Sequence, residues 1–124
     1  MKRAILVIMA VLLLTATCWA AQGMAPKGQD TTITGKLSCT FCNLPAAGGT
    51  CSKECCQACI KSGDPALLTD EKGGLYILVS GEHEKPLMTP ERMDLVETKV
   101  KVTGIVVKRD GIQAIYVKKM EKAQ

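Results

Sequence analysis

The feature of this sequence that most constrains its fold is a dense run of cysteines. Six of its seven cysteines lie within 21 residues: Cys39, Cys42, Cys51, Cys55, Cys56 and Cys59. These cysteines include two C-x2-C pairs, Cys39–Cys42 and Cys56–Cys59. Their spacing is close to that of a zinc ribbon, in which each pair gives two thiolates to a tetrahedral ion. A second spacing overlaps the first, because Cys51, Cys55 and Cys59 would share one face of a helix, with Cys39 completing a set of four. All six cysteines are therefore candidate metal ligands.

The first 20 residues have the three parts of a cleavable secretory signal peptide. Lys2 and Arg3 form a short positive region, residues 4–14 are an unbroken apolar run, and small residues precede a cleavage point after Ala20. The apolar run is shorter than the roughly 20 residues that span a bilayer. We therefore predict a periplasmic or secreted protein that does not span the membrane once the signal is removed. Cleavage would also remove Cys18, the seventh cysteine, and leave an even number.

The six remaining cysteines allow three interpretations. Export favours three disulfides, because paired thiols persist in an oxidising compartment; however, Cys55 and Cys56 are adjacent, and few partners lie off the predicted helix. The second interpretation is a thiolate site for zinc or another thiolate-bound metal. The third is a redox-active thiol pair, although the βαβ pattern that usually surrounds a redox C-x2-C is missing. The sequence leaves these three alternatives open.

Short strand patterns separated by turn signals fill the rest of the chain. Residues 21–30 predict a flexible lead-in, and residues 31–120 a single domain with a cysteine-rich insertion over 39–62. Strands are predicted over 31–38, 66–69, 75–80, 98–108 and 112–118. Within the insertion a loop is expected over 39–50 and a helix over 51–62.

Three local signals support this order of elements. Thr89-Pro90-Glu91 is typical of a helix start, Asp110-Gly111 of a type I′ hairpin turn, and Gly104 interrupts its strand as a bulge or barrel corner would. Residues 120–124 are expected to be a frayed tail. Five strands with a helix between the third and fourth is the order of the OB-fold, a small Greek-key barrel. We therefore predict a mainly β fold with short helices, namely an OB-like five-stranded barrel with a cysteine-rich helical insertion after the first strand.

Several short motifs resemble those of small secreted bacterial OB-fold-like proteins of uncharacterised function that carry a cysteine-rich insertion. The matching motifs are a first strand that ends in Cys39, a helix with Cys55 and Cys59, the step Gly63-Asp64-Pro65, the strand 75–78 and the hairpin 100–115. The resemblance implies the barrel fold and export. It implies no activity.

No catalytic residue is assigned from the sequence, which contains no nucleophile elbow, phosphate loop or H-E-x-x-H motif. His83, the single histidine, lies in a charged loop and is expected to be solvated. Without Lys2 and Arg3, 14 basic residues face 12 acidic ones, a net charge of about +2. That charge and three remaining aromatic residues do not favour nucleic-acid binding. The leading hypothesis is a non-enzymatic exported barrel that binds a metal ion or a partner through its cysteine cluster.

Overall fold

The computed structural model describes residues 26–45 and 51–124. The predicted signal peptide lies outside these residues. The five strands are β1 (Asp30–Cys39), β2 (Ala66–Asp70), β3 (Leu75–Ser80), β4 (Lys99–Arg109) and β5 (Ile112–Lys122). The three helices are α1 (Thr40–Asn43), α2 (Lys53–Lys61) and α3 (Pro90–Met93). No helix in this part of the chain is long and apolar enough to cross a bilayer.

The strands form a closed barrel in the order β1-β2-β3-β5-β4, in which β4 pairs again with β1. Neighbouring strands are antiparallel except β3 and β5, which run parallel. The predicted mainly β fold, with a five-stranded barrel and a cysteine-rich segment after the first strand, is confirmed. Closure leaves no free strand edge in the sheet and brings the end of β1 close to the segment that leads into β4.

Gly104 marks the bend in β4. The register between β4 and β5 shifts between Thr103 and Gly104, which confirms the predicted irregularity. A Cβ atom at Gly104 would lie 2.1 Å from the backbone oxygen of Tyr116. Only glycine allows the two strands to approach so closely at this point.

The hairpin between β4 and β5 has the backbone expected of its sequence. Asp110 and Gly111 have φ angles of 49° and 83°, the left-handed values that a type I′ turn requires at both central positions. The expectation of a frayed tail from residue 120 is wrong, because β5 continues to Lys122. Met120 lies opposite Val102 and packs against the core, so the pairing with β4 extends beyond the predicted end.

Alternating side chains of the strands fill the barrel. Among the side chains that are almost completely buried are Leu37, Leu68, Val100, Val102, Ile115 and Val117. The segment between β3 and β4 packs against this core. Its short helix α3 begins as predicted, since the Thr89 side chain accepts a hydrogen bond from the backbone N–H of Arg92, and Pro90 is its first residue. Val96, after this helix, is completely buried and joins the same core.

Candidate metal centre

The first cysteine of the cluster is positioned by the barrel itself. Cys39 is the last residue of β1, where it pairs with Ala66 of β2 and is completely buried. Its side chain therefore has little freedom, and the rest of the cluster assembles around a thiol that belongs to the core.

Helix α1 was not expected, because its residues fall in the predicted loop over 39–50. Asp64 stabilises its first turn: one carboxylate oxygen accepts a hydrogen bond from the Thr40 hydroxyl at 2.6 Å and the other from the Phe41 backbone N–H at 2.9 Å. Asp64 thus supplies an acceptor for the backbone N–H of Phe41, one of the donors at a helix N-terminus that have no partner within the helix. The turn brings Cys42 back towards Cys39, so that their two sulfur atoms lie within 4.8 Å of each other.

Helix α2 carries three more cysteines and is well defined at both ends. The Ser52 side chain accepts from the backbone N–H of Cys55 at 3.1 Å, as expected of an N-cap. Gly63, with a φ of 106°, lets the chain reverse direction after the helix. Two side chains tie α2 to the end of α3, since Lys53 donates to the carbonyl oxygen of Asp94 at 2.6 Å and Gln57 to that of Met93 at 2.8 Å.

Four of the thiols converge on one point. The sulfur atoms of this group all lie within 4.8 Å of one another, and its members are Cys39, Cys42, Cys51 and Cys56. A tetrahedral zinc ion with Zn–S bonds of about 2.3 Å sets its sulfurs about 3.8 Å apart. Two pairs are somewhat closer than this, at 3.0 Å for Cys42–Cys51 and 3.2 Å for Cys39–Cys56. The four thiols can thus hold a metal ion after small side-chain adjustments.

The remaining two cysteines adjoin this group. The sulfur atoms of Cys42, Cys55 and Cys59 lie within 4.8 Å of one another, and Cys39 lies equally near Cys59. Cys55 is exposed and Cys59 half-buried, whereas Cys39 and Cys56 are buried. All six candidate ligands therefore come together in one cluster that extends from the core to the surface.

The cluster does not match either spacing that the sequence indicated. The four-thiol group combines Cys39, Cys42 and Cys56 of the two C-x2-C pairs with Cys51, in place of Cys59. Cys51 precedes the N-cap of α2 and so does not share the helix face with Cys55 and Cys59. The predicted helix over 51–62 began two residues too early, because α2 starts at Lys53. The signal for the true start is Ser52, whose side chain caps the N-terminus of the helix.

The prediction of disulfides is not supported by this arrangement. The six described cysteines are all free thiols. The sulfur pairs at 3.0 and 3.2 Å are about 1 Å longer than an S–S bond. The four sulfurs of these two pairs also lie within 4.8 Å of one another, so each sulfur has several sulfur neighbours, as a shared centre requires.

The surroundings of the thiols shift their pKa values in different directions. Burial opposes the ionisation of Cys39, but hydrogen bonds with the thiol of Cys56 and the backbone N–H of Cys42 outweigh it and lower its pKa. Burial raises the pKa of Cys56 to about 12, and the carboxylate of Glu97 adds to the shift. Burial also raises the pKa of Cys59 to about 12. In the absence of metal, Cys39 therefore ionises more readily than Cys56 and Cys59.

Glu97 is a residue of the site that sequence analysis missed. The thiol of Cys56 donates to its carboxylate at 3.2 Å, and the same carboxylate forms an ion pair with Lys36 of β1. Its φ of 63° is uncommon for a residue other than glycine. No motif marks Glu97, because it reaches the cluster only through the folding of the barrel.

His83 lies apart from this chemistry. Its side chain is 78% exposed in the loop before α3, as expected, and it belongs to none of the ligand groups found in residues 26–45 and 51–124.

Comparison with protein-family models, curated proteins and solved structures finds no significant match to this chain. Its chemistry must therefore be inferred from the cluster itself. The cluster can bind a metal ion.

Proposed function

We propose that this protein is an exported barrel that binds a thiophilic metal ion through its cysteine cluster, and that zinc is the ion. The observation that supports this most directly is the convergence of the Cys39, Cys42, Cys51 and Cys56 sulfurs within 4.8 Å of one another. Four thiolates satisfy the tetrahedral preference of zinc without a water ligand. A closed site of this kind suits a structural, storage or carrier role better than hydrolysis, which needs an open position on the metal.

The surroundings of the four thiols also favour zinc. Buried thiols ordinarily resist ionisation, yet a bound divalent cation stabilises their thiolates and releases the protons to solvent. Backbone N–H groups already favour two of the thiolates, because that of Cys42 helps to lower the pKa of Cys39 and that of Cys39 opposes the rise in the pKa of Cys56. Such backbone dipoles partly neutralise the negative charge that four thiolates leave on a divalent ion.

Metal analysis combined with thiol counting tests the metal site. Protein purified under reducing, anaerobic conditions should contain at least one zinc ion per chain, and the four ligand thiols should resist alkylation until a chelator is added. Cys51→Ser should lower zinc binding strongly, whereas Ala58→Ser, on the exposed face of α2, should leave it unchanged. Protein without metal in which all six cysteines are oxidised would exclude the proposal.

Export is a separate part of the proposal and rests on the charged, apolar and small-residue pattern of residues 1–20. Its test is the mass of the protein recovered from the fraction outside the cytoplasm. We expect a chain that begins at Ala21. Recovery of the uncleaved chain from the cytoplasm alone would contradict export while leaving the metal site standing.

A further inference from the structure

We propose that the cluster holds two metal ions that share sulfur ligands, with Cys39 and Cys42 as the bridging thiolates. This inference rests on the proposed metal binding and extends it from four thiols to six. It assigns Cys55 and Cys59 a role as terminal ligands of the second ion.

The geometry that points to a second ion is the group of sulfurs beside the first. The sulfur of Cys42 lies 4.0 Å from that of Cys55, and both sulfurs lie within 4.8 Å of the Cys59 sulfur. Cys39 is within the same distance of Cys42 and of Cys59. Five of the six sulfur–sulfur distances among these four cysteines are thus 4.8 Å or less. Side-chain adjustment, chiefly of the exposed Cys55 towards Cys39, would bring the four sulfurs to a second tetrahedron with the edges of roughly 3.8 Å that a thiolate-bound zinc ion sets.

The two tetrahedra have one edge in common. Cys39 and Cys42 belong to the first group together with Cys51 and Cys56, and the same two sulfurs complete the second group. A thiolate has enough lone pairs to bind two ions at once, and six thiolates with two shared supply four ligands to each of two ions. The pair Cys39–Cys42 is suited to bridging because one turn of chain, capped by Asp64, holds both residues.

Asp64 is not the ligand of this second ion. A carboxylate oxygen of Asp64 lies within 4.8 Å of the sulfurs of Cys39 and Cys59, but both of its oxygens already accept hydrogen bonds from α1 at 2.6 and 2.9 Å. Removing Asp64 from these bonds would unwind the turn that positions Cys42. Asp64 is therefore a positioning residue for the bridge.

Charge and burial set the order in which the ions bind. One divalent ion with four thiolates and two divalent ions with six thiolates carry the same formal charge, so the second ion adds no net charge to the cluster. The first ion displaces the protons of its four thiols and the second those of Cys55 and Cys59, and no redox step is involved. The first ion lies among the buried Cys39 and Cys56, and the second lies towards the exposed Cys55. We therefore expect the inner ion to bind first and the outer ion to be released first.

Cadmium titration of the reduced protein tests this inference, because cadmium favours the same thiolate ligands and reports on them directly. We expect two ions per chain in native mass spectrometry and two cadmium NMR signals that are coupled through the shared sulfurs. Cys55→Ser and Cys59→Ser should each reduce the capacity from two tightly held ions to one. Ala58→Ser is the matched control on the same helix and should keep both ions.

The outcomes separate this inference from the function on which it rests. Saturation at one ion, with Cys55 and Cys59 still open to alkylation, would overturn the two-ion centre and leave the four-thiol site intact. Two ions without mutual coupling would overturn the sulfur bridge. No bound ion at all would overturn both proposals.

Discussion

The carboxylate of Glu97 accepts a hydrogen bond from the Cys56 thiol at 3.2 Å, although 41 positions separate the two residues in the chain. The backbone N–H of Glu97 donates to the carbonyl oxygen of Leu37 at 2.8 Å, and its side chain forms an ion pair with Lys36. These bonds hold Glu97 against β1 at the point where helix α2 meets the barrel. It places a negative charge beside a candidate metal ligand.

The charge of Glu97 should oppose metal loading at neutral pH. We expect Glu97→Gln to bind zinc at lower pH than the unchanged protein, because loss of the carboxylate removes repulsion with the Cys56 thiolate and leaves Lys36 free to attract it. A glutamine keeps the shape and the unusual backbone of this position. The measurement is the pH at which half of the zinc is bound. An upward shift of that pH would show that the carboxylate assists binding.

The raised pKa values predict how stability depends on pH without metal. Burial raises the pKa of Cys56 and of Cys59 to about 12, whereas thiols of an unfolded chain titrate at about 8.5. The folded state keeps these protons to higher pH, so their contribution to stability is complete below the unfolded value and is lost as pH rises through the folded one. The pKa of Cys39 is lowered, so its contribution is already complete in this window.

Urea unfolding of the metal-free protein should therefore show a falling free energy of unfolding between about pH 8.5 and 12. The zinc-loaded protein, scanned over the same range, is the control for lysine and tyrosine titration. Its thiols have already lost their protons, so its decline should be shallower. Equal slopes for the two forms would mean that the thiols are not the groups responsible.

Asp64 should affect metal affinity more than stability. Asp64→Ala removes the acceptor for Thr40 and Phe41 and should weaken zinc binding by about tenfold or more, as expected when a supporting hydrogen bond of a ligand-bearing turn is lost. The cost in unfolding free energy should be only about 1 kcal/mol. Competition with a chelator of known affinity measures the first quantity, and Asp94→Ala, which removes an exposed carboxylate, provides the comparison. Similar affinities for the two variants would exclude the role assigned to Asp64.

Gly104 should be the most sensitive glycine of the barrel wall. In Gly104→Ala the new methyl group would lie 2.1 Å from the backbone oxygen of Tyr116, so β4 and β5 must separate. We expect a loss of about 1–3 kcal/mol in unfolding free energy, against about 0.5 kcal/mol or less for the exposed neighbour Lys101→Ala. Denaturant titration measures both. A Gly104→Ala protein as stable as the control would mean that the strands can part there without cost.

Much of the barrel follows from local patterns in the sequence. The alternation of Val100 and Val102 with lysines, the Asp110-Gly111 turn and the Thr89-Pro90 helix start are short-range signals, and all three elements form where they predict. The end of β5 was missed because its last residues are mostly charged and are held by pairing with β4, which is a contact between strands. The α1 turn was missed for the same reason, since Asp64, its capping residue, lies beyond the next helix.

The amino-acid sequence by itself determined that this chain would have a five-stranded barrel and a cluster of six cysteines after its first strand. It could not determine which cysteines share a centre, because their spacing along the chain does not give the distances between their sulfur atoms. The sulfurs come from four segments, namely the end of β1, α1, the residues before α2, and α2 itself. Only the tertiary structure decided that Cys51 takes the fourth place in the four-thiol group, that Cys55 and Cys59 adjoin this group, and that Glu97 faces Cys56. Those relationships depend on how the barrel closes. Closure places the end of β1 beside the segment that leads into β4, and helix α2 packs against both.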